Sequence, residues 1–288
     1  MKSIIIYYFS GTNNTKLVSE MFQDNFIKLG YKAKAIAIEK IMKKETALKL
    51  EKHDLIGFGH PVHAFSAPKF FFDFIDRLPK GKGKRVFLFK TSGDPLCNGG
   101  ATSHIRKKLK RKGYNVFNEN LLVMPANVAI RYDDNLVKQL YDTALRKVKK
   151  MAEEIINNKK KLQKNNIVLK IFSYLFSKSE GLGAQYFGRF LKISDECNNC
   201  NLCLKNCPTG NIYKVNDEIR FDKKCTFCMR CVYLCPKKAI SNKYFNLFII
   251  KEGYNIINIL KKPNIKGNYI SNKTKGYFKH FYRYFIQD

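Results

Sequence analysis

The chain has 288 residues, 45% of them hydrophobic, and a formal net charge of +31. Its length and apolar content suffice for two domains with hydrophobic cores. No run reaches the roughly 18 uncharged apolar residues that a membrane-spanning helix needs, and the apolar start lacks the length and the cleavage site of a secretion signal. We therefore expect a cytoplasmic protein without a membrane span.

Apolar strands alternate with amphipathic helices through residues 1–160. The strands are expected at 3–9, 32–39, 54–59, 85–90 and 121–124, and the helices at 15–29, 68–78, 102–112 and about 133–160. This alternation implies a parallel sheet covered by helices on both faces. We therefore predict an α/β fold with a doubly wound, five-stranded parallel sheet, in which ligands bind at the carboxyl ends of the strands.

The loop after the first strand reads YFSGTNNT (residues 8–15) and contains no lysine. A nucleotide-binding P-loop ends in Gly-Lys-Ser/Thr, because its lysine binds the terminal phosphates. The hydroxyls, side-chain amides and backbone N–H groups present here suit a single phosphate at a helix N-terminus instead. The same residue types also cap ordinary helices, so this loop alone leaves both interpretations open.

The second half of the chain divides into three segments. Residues 161–190 are expected to form a connecting helix and linker, residues 191–243 contain eight of the nine cysteines, and residues 244–288 form a basic, aromatic C-terminal tail. Without a secretion signal disulfides are not expected, and the clustered cysteines are interpreted as metal ligands. The ninth cysteine, Cys97, stands apart and is interpreted as a bystander.

The cysteines occur in two copies of one pattern, CNNCNLCLKNCP at 197–208 and CTFCMRCVYLCP at 225–236. Structural zinc sites take four ligands in two separated pairs. The pattern C-x2-C-x2-C-x3-C-P is instead that of bacterial two-cluster ferredoxins, in which the fourth cysteine ligates the other cluster. We therefore predict a small α+β domain with two [4Fe-4S] clusters. The predicted ligands are Cys197, Cys200, Cys203 and Cys235 for cluster I, and Cys225, Cys228, Cys231 and Cys207 for cluster II.

The order of these features resembles that of the flavodoxin–ferredoxin fusion proteins over residues 1–243. The phosphate loop of that family usually reads Ser-Gly-Thr-Gly-Asn-Thr, and Asn13 stands here at the position of the second glycine. Asparagine is one of the few non-glycine residues suited to a left-handed backbone, so the loop can keep its shape. The resemblance implies a flavodoxin-like N-terminal domain that binds FMN, followed by a two-cluster ferredoxin domain.

By this resemblance, three loops would contact FMN. The first would hold the phosphate, the second would place His63 where relatives often stack a tyrosine on the flavin, and the third would hydrogen-bond the flavin edge. His60 and His63 also fit ordinary loop histidines, and residues 124–128 fit either a flavin contact or a turn. The predicted cofactor-binding residues are Ser10, Gly11, Thr12, Asn13, Asn14, Thr15, Pro61, Val62, His63, Ala64, Thr91, Ser92 and Gly93.

The resemblance implies an iron–sulfur flavoprotein that passes electrons between its clusters, FMN and a redox partner. A second hypothesis is an FMN-dependent reductase of a small molecule such as a quinone or a nitro compound, with His63 or Tyr132 as proton donor. A third, a nucleic-acid-binding protein with structural clusters, explains the charge but leaves the flavin loops without a purpose. The sequence favours an electron carrier over a substrate-specific enzyme, without deciding between them.

The positive charge bears on the choice of partner. Lysine and arginine number 54 against 23 acidic residues, and six of the seven residues in RKKLKRK (106–112) are cationic. This segment is either a solvated helix face or a docking patch that steers an acidic redox protein. Because no nucleic-acid-binding motif is present, an acidic protein partner is expected rather than nucleic acid.

Overall fold

The computed structural model describes residues 1–43, 48, 50–63, 65–96, 102–163, 181–250 and 252–287. Its N-terminal half is built on a five-stranded parallel sheet in the order β2-β1-β3-β4-β5. The strands are β1 (Ser3–Tyr8), β2 (Lys32–Ala37), β3 (Leu55–Pro61), β4 (Arg85–Ser92) and β5 (Asn115–Val123). The strand order reverses between β1 and β3, as in flavodoxin-like sheets, and this confirms the predicted fold class.

Helices cover both faces of this sheet. They are α1 (Asn14–Lys28), α2 (Ile38–Met42), α3 (Lys69–Arg77), α4 (Ser103–Arg111) and α5 (Asp134–Ile156). One core, which includes Phe22 and Phe87, lies on the side of α1 and α5, and a second, which includes Phe58 and Phe74, lies on the side of α3 and α4. Because strands between two cores are buried on both faces, they read as continuous apolar runs such as SIIIYY in β1.

Strand β5 is longer than the predicted 121–124. Its first half contains Asn118, Glu119 and Asn120, which are all buried. Such residues interrupt the apolar run by which a buried strand is recognised. Their polar groups find partners inside the protein, since Glu119 accepts a hydrogen bond from Arg106 at 2.9 Å and the Asn120 amide donates to Asn118 at 2.6 Å.

The cysteine-rich segment forms a small α+β domain. Strand β6 (Leu191–Ile193) pairs antiparallel with β9 (Ile240–Asn242), and β7 (Ile212–Val215) pairs antiparallel with β8 (Glu218–Phe221). Two short helices, α6 (Leu202–Asn206) and α7 (Arg230–Leu234), begin inside the two cysteine motifs. The arrangement is that of two similar halves packed around one core.

The duplication of the cysteine pattern extends to the backbone. Asn199 and Phe227, 28 positions apart, have φ values of 54° and 52°, and Asn201 and Met229 have φ values of 59° and 57°. These residues lie between the cysteines of their motifs, where a left-handed backbone turns the chain sharply. The two cysteine loops therefore repeat the same backbone turns although their sequences differ.

The C-terminal segment packs against the N-terminal domain. Its helices α8 (Ile256–Leu260) and α9 (Phe281–Ile286) contribute Ile256 and Phe281 to the core on the side of α1 and α5. The Tyr284 hydroxyl accepts a hydrogen bond from the backbone N–H of Val123 at 3.0 Å. A backbone donor at the end of the edge strand β5 is thereby satisfied.

No helix in the described part of the chain is both long and apolar enough to cross a bilayer. Some of the sequence predictions fall on residues that the structure does not describe. Ala64, Cys97 and the middle of the predicted linker, 164–180, lie outside the described residues. The predicted domain boundaries stay predictions.

Candidate functional site

A cavity of about 310 Å³ opens at the carboxyl ends of the strands, near the lower limit of the roughly 300–1,000 Å³ typical of small-molecule sites. It brings together the loops after β1, β3, β4 and β5, the second cysteine motif and the C-terminal segment. Of the predicted cofactor-binding residues that the structure describes, all but Asn13 line it. The lining also includes residues that the sequence did not single out as ligand contacts, namely Phe65, Asp94, Phe227, Met229 and Tyr277.

The loop after β1 has the backbone of an anion site. Asn13 precedes α1 with a left-handed φ of 75°, and its side chain makes no capping hydrogen bond. This confirms that asparagine takes the conformation for which glycine is usual. Because no N-cap side chain occupies them, the first-turn N–H groups of this 15-residue helix retain their capacity to bind an anion.

Ser10 gives an independent indication of a polar ligand. Its hydroxyl is buried in the wall of the cavity and has no hydrogen-bond partner among the described residues. Leaving a buried hydroxyl unpaired costs about 1–3 kcal/mol, and an anion that accepts a hydrogen bond from this hydroxyl would remove the cost. The phosphate of FMN is such an acceptor, so the loop fits this cofactor.

Two other loop residues already hydrogen-bond within the protein. The Asn14 amide donates to the carbonyl oxygen of Pro125 at 2.7 Å, and the hydroxyl oxygens of Thr15 and Thr91 are 2.8 Å apart. These bonds join the first loop to the loops after β5 and β4. Asn14 and Thr15 therefore fix the shape of the cavity.

The two histidines of the second loop have different positions. His60 is fully buried outside the cavity lining, where Nδ1 hydrogen-bonds the Pro61 carbonyl oxygen at 2.9 Å and the ring packs on Phe71. His63 lines the cavity. Burial lowers the pKa of His60 to about 3 and that of His63 to about 4. Both imidazoles are therefore neutral at pH 7, and His63 offers the cavity an uncharged ring.

The third loop is held by hydrogen bonds at adjacent positions. The buried Tyr132 hydroxyl donates to the carbonyl oxygen of Gly93 at 2.6 Å, and the Asp94 carboxylate accepts from the backbone N–H of Leu96 at 2.7 Å. Burial raises the pKa of Tyr132, so this phenol keeps its proton. The loop is thereby ordered at the rim of the cavity.

The second cysteine motif forms part of the same wall. Phe227, Cys228 and Met229 line the cavity together with the first loop. The carbonyl oxygen of Cys228 lies so close to Gly11 that a Cβ at position 11 would overlap it. Glycine therefore permits the close approach of the two backbones, and the two domains meet at the cavity itself.

Arg230 fastens this contact. Its guanidinium donates to the backbone carbonyls of Ser10 and Gly11, and it forms an ion pair with Glu39. The same group lies 5.7 Å from the centre of the Phe9 ring. With the side chains of Arg230 and Glu39 only 16% and 11% exposed, this arginine connects the cysteine motif to the first loop from inside the domain contact.

In space, the last cysteine of each motif lies near cysteines of the other motif. Burial raises the pKa of Cys203, and the proximity of Cys197 and Cys235 raises it further. Burial also raises the pKa of Cys225 to about 12, with Cys207 among the neighbours that add to the shift. Buried thiols of this kind become ligands only as thiolates, for which the positive charge of bound iron is required.

The surroundings of the sulfur atoms repeat as well. The backbone N–H of Asn211 donates to Cys207 Sγ at 3.2 Å, and that of Ala239 donates to Cys235 Sγ at 3.3 Å. Ile212 and Ile240 follow these residues and are each 5% exposed. Hydrogen bonds to sulfur and a dry environment are the features by which a protein tunes the potential of an iron–sulfur cluster.

The basic segment on α4 is partly engaged within the protein. Arg106 forms an ion pair with the buried Glu119 at 2.9 Å, and Lys108 pairs with Asp76. Because α4 connects β4 to β5, its last turn lies at the end of the sheet opposite the cavity. The exposed cations of the segment are Lys107, Lys110 and Arg111.

Comparison with known sequences identifies the cysteine-rich domain. Residues 196–240 match the profile of the family described as 4Fe-4S dicluster domain. An uncharacterised protein of Methanocaldococcus jannaschii is 29% identical over 119 residues, which cover 41% of this chain and 73% of the relative. An uncharacterised polyferredoxin-like protein of the same organism is 38% identical over 61 residues, 20% of this chain and 27% of the relative. The cysteine-rich segment is a 4Fe-4S ferredoxin-like domain.

Two flavodoxins illustrate the similarity to solved structures. A flavodoxin from the domain Archaea has 18% identity and a TM-score of 0.38, covering 54% of this chain and 99% of its own. The two-electron reduced flavodoxin of Megasphaera elsdenii has 23% identity and a TM-score of 0.37, covering 50% of this chain and 98% of its own. The fold assignment rests on the strand order given above. The chain is therefore a fusion of a flavodoxin-like domain with a 4Fe-4S ferredoxin-like domain.

Proposed function

We propose that this protein is an iron–sulfur flavoprotein that transfers electrons, with two [4Fe-4S] clusters held by the eight cysteines and FMN held in the cavity. The observation that carries the proposal is the shared wall, in which Phe227, Cys228 and Met229 of the second cysteine motif line the same cavity as Ser10 and the rest of the first loop. Bound clusters exchange single electrons and bound FMN exchanges one or two.

The residues of the chain have distinct tasks in this proposal. Ser10, Thr12 and the first-turn N–H groups of α1 bind the phosphate, and His63 and the third loop border the flavin ring. Gly11 and Arg230 keep the second cysteine motif against the first loop. The buried isoleucines after each motif exclude water from the sulfur atoms.

Crossed ligation of the clusters is part of the proposal. It is supported by the proximity of Cys207 to Cys225 and of Cys235 to Cys203. In this arrangement Cys228, in the cavity wall, would hold cluster II beside the cavity. Cluster I would be the more accessible from solvent, since its proposed ligand Cys200 is exposed. We expect the redox partner, an acidic protein, to approach cluster I.

The alternative of a small-molecule reductase needs a proton donor beside the flavin. Of the two candidates, His63 has a pKa lowered to about 4 by burial and is neutral at pH 7. Tyr132 has a pKa raised by burial, and its hydroxyl donates to Gly93. Neither side chain is set to deliver a proton at neutral pH, and this supports the electron carrier over the reductase.

The proposal is tested by purifying the protein anaerobically and measuring iron, sulfide and flavin. We expect about eight iron atoms and about one FMN per chain, as two four-iron clusters and one flavin site require. About four iron atoms, or zinc in place of iron, would refute the cluster assignment. Iron without flavin would refute the role of the cavity and leave the cluster assignment intact.

A further inference from the structure

The C-terminal segment extends to the proposed flavin cavity. Tyr277 lies in the short helical turn Gly276–His280 and lines the cavity, while its side chain also stays half exposed to solvent. In sequence it is remote from each of the three loops that the flavodoxin-like domain supplies. The cavity therefore contains an aromatic side chain that does not belong to its strand-end loops.

A shared carboxylate fixes Tyr277 in this position. Its hydroxyl donates to Asp94 Oδ2 at 2.9 Å, and His280 Nε2 lies 2.9 Å from the same oxygen. The Asp94 side chain is only 15% exposed, and Asp94 belongs to the third loop, which itself lines the cavity. The segment and the loop are therefore linked at the cavity rim.

The helical turn Gly276–His280 is anchored by aromatic residues that pack in the core on the side of α1 and α5. Phe281 is fully buried, and Phe278 packs edge-on against Tyr132 with ring centroids 5.2 Å apart. Tyr132 in turn donates its hydroxyl to Gly93 in the third loop. The position of Tyr277 is thus set by contacts on both sides of the turn, before any ligand binds.

We infer that Tyr277 is a flavin-binding residue that forms a wall for the isoalloxazine ring. The inference rests on the proposed function. The third loop offers the cavity only the small residues Thr91, Ser92 and Gly93 before Asp94, and Ala126 lies beside Gly93. A flat ring in such a pocket gains from an aromatic neighbour, which prefers centroid separations of about 4.5–7 Å. Tyr277 supplies that neighbour from the C-terminal segment.

Two substitutions at position 277 distinguish the contribution of the aromatic ring from that of the hydrogen bond to Asp94. Tyr277→Phe keeps the ring and loses the bond to Asp94, whereas Tyr277→Leu loses both and keeps apolar bulk. Tyr244→Leu is the matched control, because Tyr244 belongs to the same segment, is 56% exposed against 52% for Tyr277, and does not line the cavity. The full-length protein with its clusters is used throughout, and an unchanged iron content together with an unchanged thermal midpoint shows that each variant is folded.

The measurements are the FMN dissociation constant and the visible circular dichroism of the bound flavin. We expect Tyr277→Leu to raise the FMN Kd about three- to tenfold, the range that an aromatic pair provides, and to change the dichroism. Tyr277→Phe and Tyr244→Leu should keep the wild-type spectrum and stay within about twofold of the wild-type Kd.

The outcomes distinguish this inference from the proposed function. Wild-type affinity and spectrum in Tyr277→Leu would overturn the inference, with FMN binding itself intact. Equal losses in Tyr277→Leu and Tyr277→Phe would also overturn it, because the hydrogen bond to Asp94 would then matter and the ring would not. A wild-type protein that binds no FMN would refute the proposed function, and the inference with it.

Discussion

The carbonyl oxygen of Cys228 lies against the α-carbon of Gly11, at a distance that leaves no room for a Cβ. Position 11 is in the proposed phosphate loop, and Cys228 is a proposed ligand of cluster II. This contact places a proposed cluster ligand in the wall of the proposed flavin cavity. A side chain larger than hydrogen at position 11 is therefore incompatible with this contact between the two domains.

Gly11→Ala should therefore disturb the domain contact. The added methyl group forces the backbones apart, and overpacking of this kind typically costs about 1–3 kcal/mol. We expect a lower thermal midpoint and an FMN Kd raised about tenfold or more, since a displaced Cys228 loop opens the cavity. Thermal unfolding and flavin titration measure the two effects.

Gly183→Ala is the control for this substitution. Gly183 lies in the helical residues 181–189, and a Cβ there would meet no atom within 4 Å. Alanine is favoured over glycine in a helix by up to about 1 kcal/mol, so this variant should be as stable as the wild type or more so. Equal behaviour of the two variants would contradict the close contact at Gly11.

Much of the fold follows from local patterns in the sequence. The apolar runs of β1, β3 and β4, and the helical patterns between them, predicted the α/β alternation and with it the doubly wound parallel sheet. Strand β5 was the exception. Its buried Asn118, Glu119 and Asn120 are stabilised by long-range partners such as Arg106, which no local pattern reveals.

The candidate site was predictable where a motif carries it and not elsewhere. The strand-end loops and the cysteines have recognisable spacing. Phe227 and Met229 stand between cysteines, at positions for which the cysteine pattern specifies no residue, and Tyr277 lies in a segment rich in aromatic residues. Their place in the cavity depends on how the ferredoxin-like domain and the C-terminal segment pack on the first domain. Packing between segments so distant in sequence cannot be predicted from local sequence patterns.

Ser10→Ala should weaken FMN binding without weakening the protein. A lost hydrogen bond to a charged phosphate costs about 1.5–3 kcal/mol, or about tenfold or more in Kd. In the flavin-free protein the hydroxyl is buried without a partner among the described residues, so its removal should leave the free energy of unfolding unchanged or raise it. Flavin titration and denaturant unfolding measure the two quantities.

Ser19→Ala provides the opposite pattern for comparison. The Ser19 hydroxyl is buried and donates to the carbonyl oxygen of Thr15 at 2.6 Å, so its loss should cost stability, about 1 kcal/mol, and leave the FMN Kd near the wild-type value. An unchanged Kd in Ser10→Ala would mean that the loop only begins a helix and binds no phosphate.

His60 should make the stability depend on pH. Its pKa is lowered by burial to about 3, whereas an unfolded histidine titrates near pH 6.5. Unfolding therefore takes up a proton between these values, and the stabilisation by the neutral buried ring is lost as the pH falls below about 6.5, by about 1.4 kcal/mol per pH unit. The amide of His60→Gln can still donate to the Pro61 carbonyl oxygen. Because this variant has no imidazole at position 60, it lacks this contribution to the pH dependence of stability.

The comparison of wild type with His60→Gln at two pH values isolates the effect. Between pH 7.5 and pH 5.5, the stability advantage of the wild type should fall by about 1.4 kcal/mol. Other acid-sensitive groups, including the cluster ligands, are common to both proteins and cancel in the difference. A difference that stays constant with pH would show that His60 is not buried as a neutral ring.

Crossed ligation predicts which cysteine variants resemble each other. Cys207→Ala should perturb the same cluster as Cys225→Ala, because Cys207 lies beside Cys225. Cys235→Ala should resemble Cys197→Ala for the corresponding reason. Electron paramagnetic resonance of the reduced variants compares the two signals. If Cys207→Ala instead matches Cys197→Ala, each motif binds its own cluster.

Gly188→Ala supplies a second fingerprint without removing a ligand. A Cβ at Gly188 would overlap the Cβ of Cys225, so this variant should alter the signal of cluster II. Gly183→Ala in the same helix meets no atom within 4 Å and should leave both signals unchanged. Agreement of Gly188→Ala with Cys207→Ala would assign that cluster independently of cysteine loss.

The last prediction concerns where an acidic partner docks. The exposed lysines Lys205, Lys237 and Lys238 are close in sequence to the cluster I ligands Cys203 and Cys235. The acids that offset them, Asp195 and Glu196, are next to Cys197.

The exposed cations of α4 are Lys107, Lys110 and Arg111, at the end of the sheet away from the cavity. Screening limits steering to about 8 Å at 0.15 M salt, so only charges near the exchange site should matter.

Two variants with the same loss of charge test this docking site. One replaces Lys205, Lys237 and Lys238 by glutamine, and the other replaces Lys107, Lys110 and Arg111 by glutamine. The probe is a reduced small acidic ferredoxin, and the measurement is the rate at which it bleaches the visible absorption of this protein. The variant near cluster I should react several-fold more slowly at about 0.1 M salt, where the screening length is about 10 Å, and its difference from the wild type should disappear toward about 1 M salt, where that length is about 3 Å. The α4 variant should match the wild type, since its cations lie far from Cys200. The reverse result would place the docking surface on α4, and a slow rate that ignores salt would indicate damage to the cluster I loop.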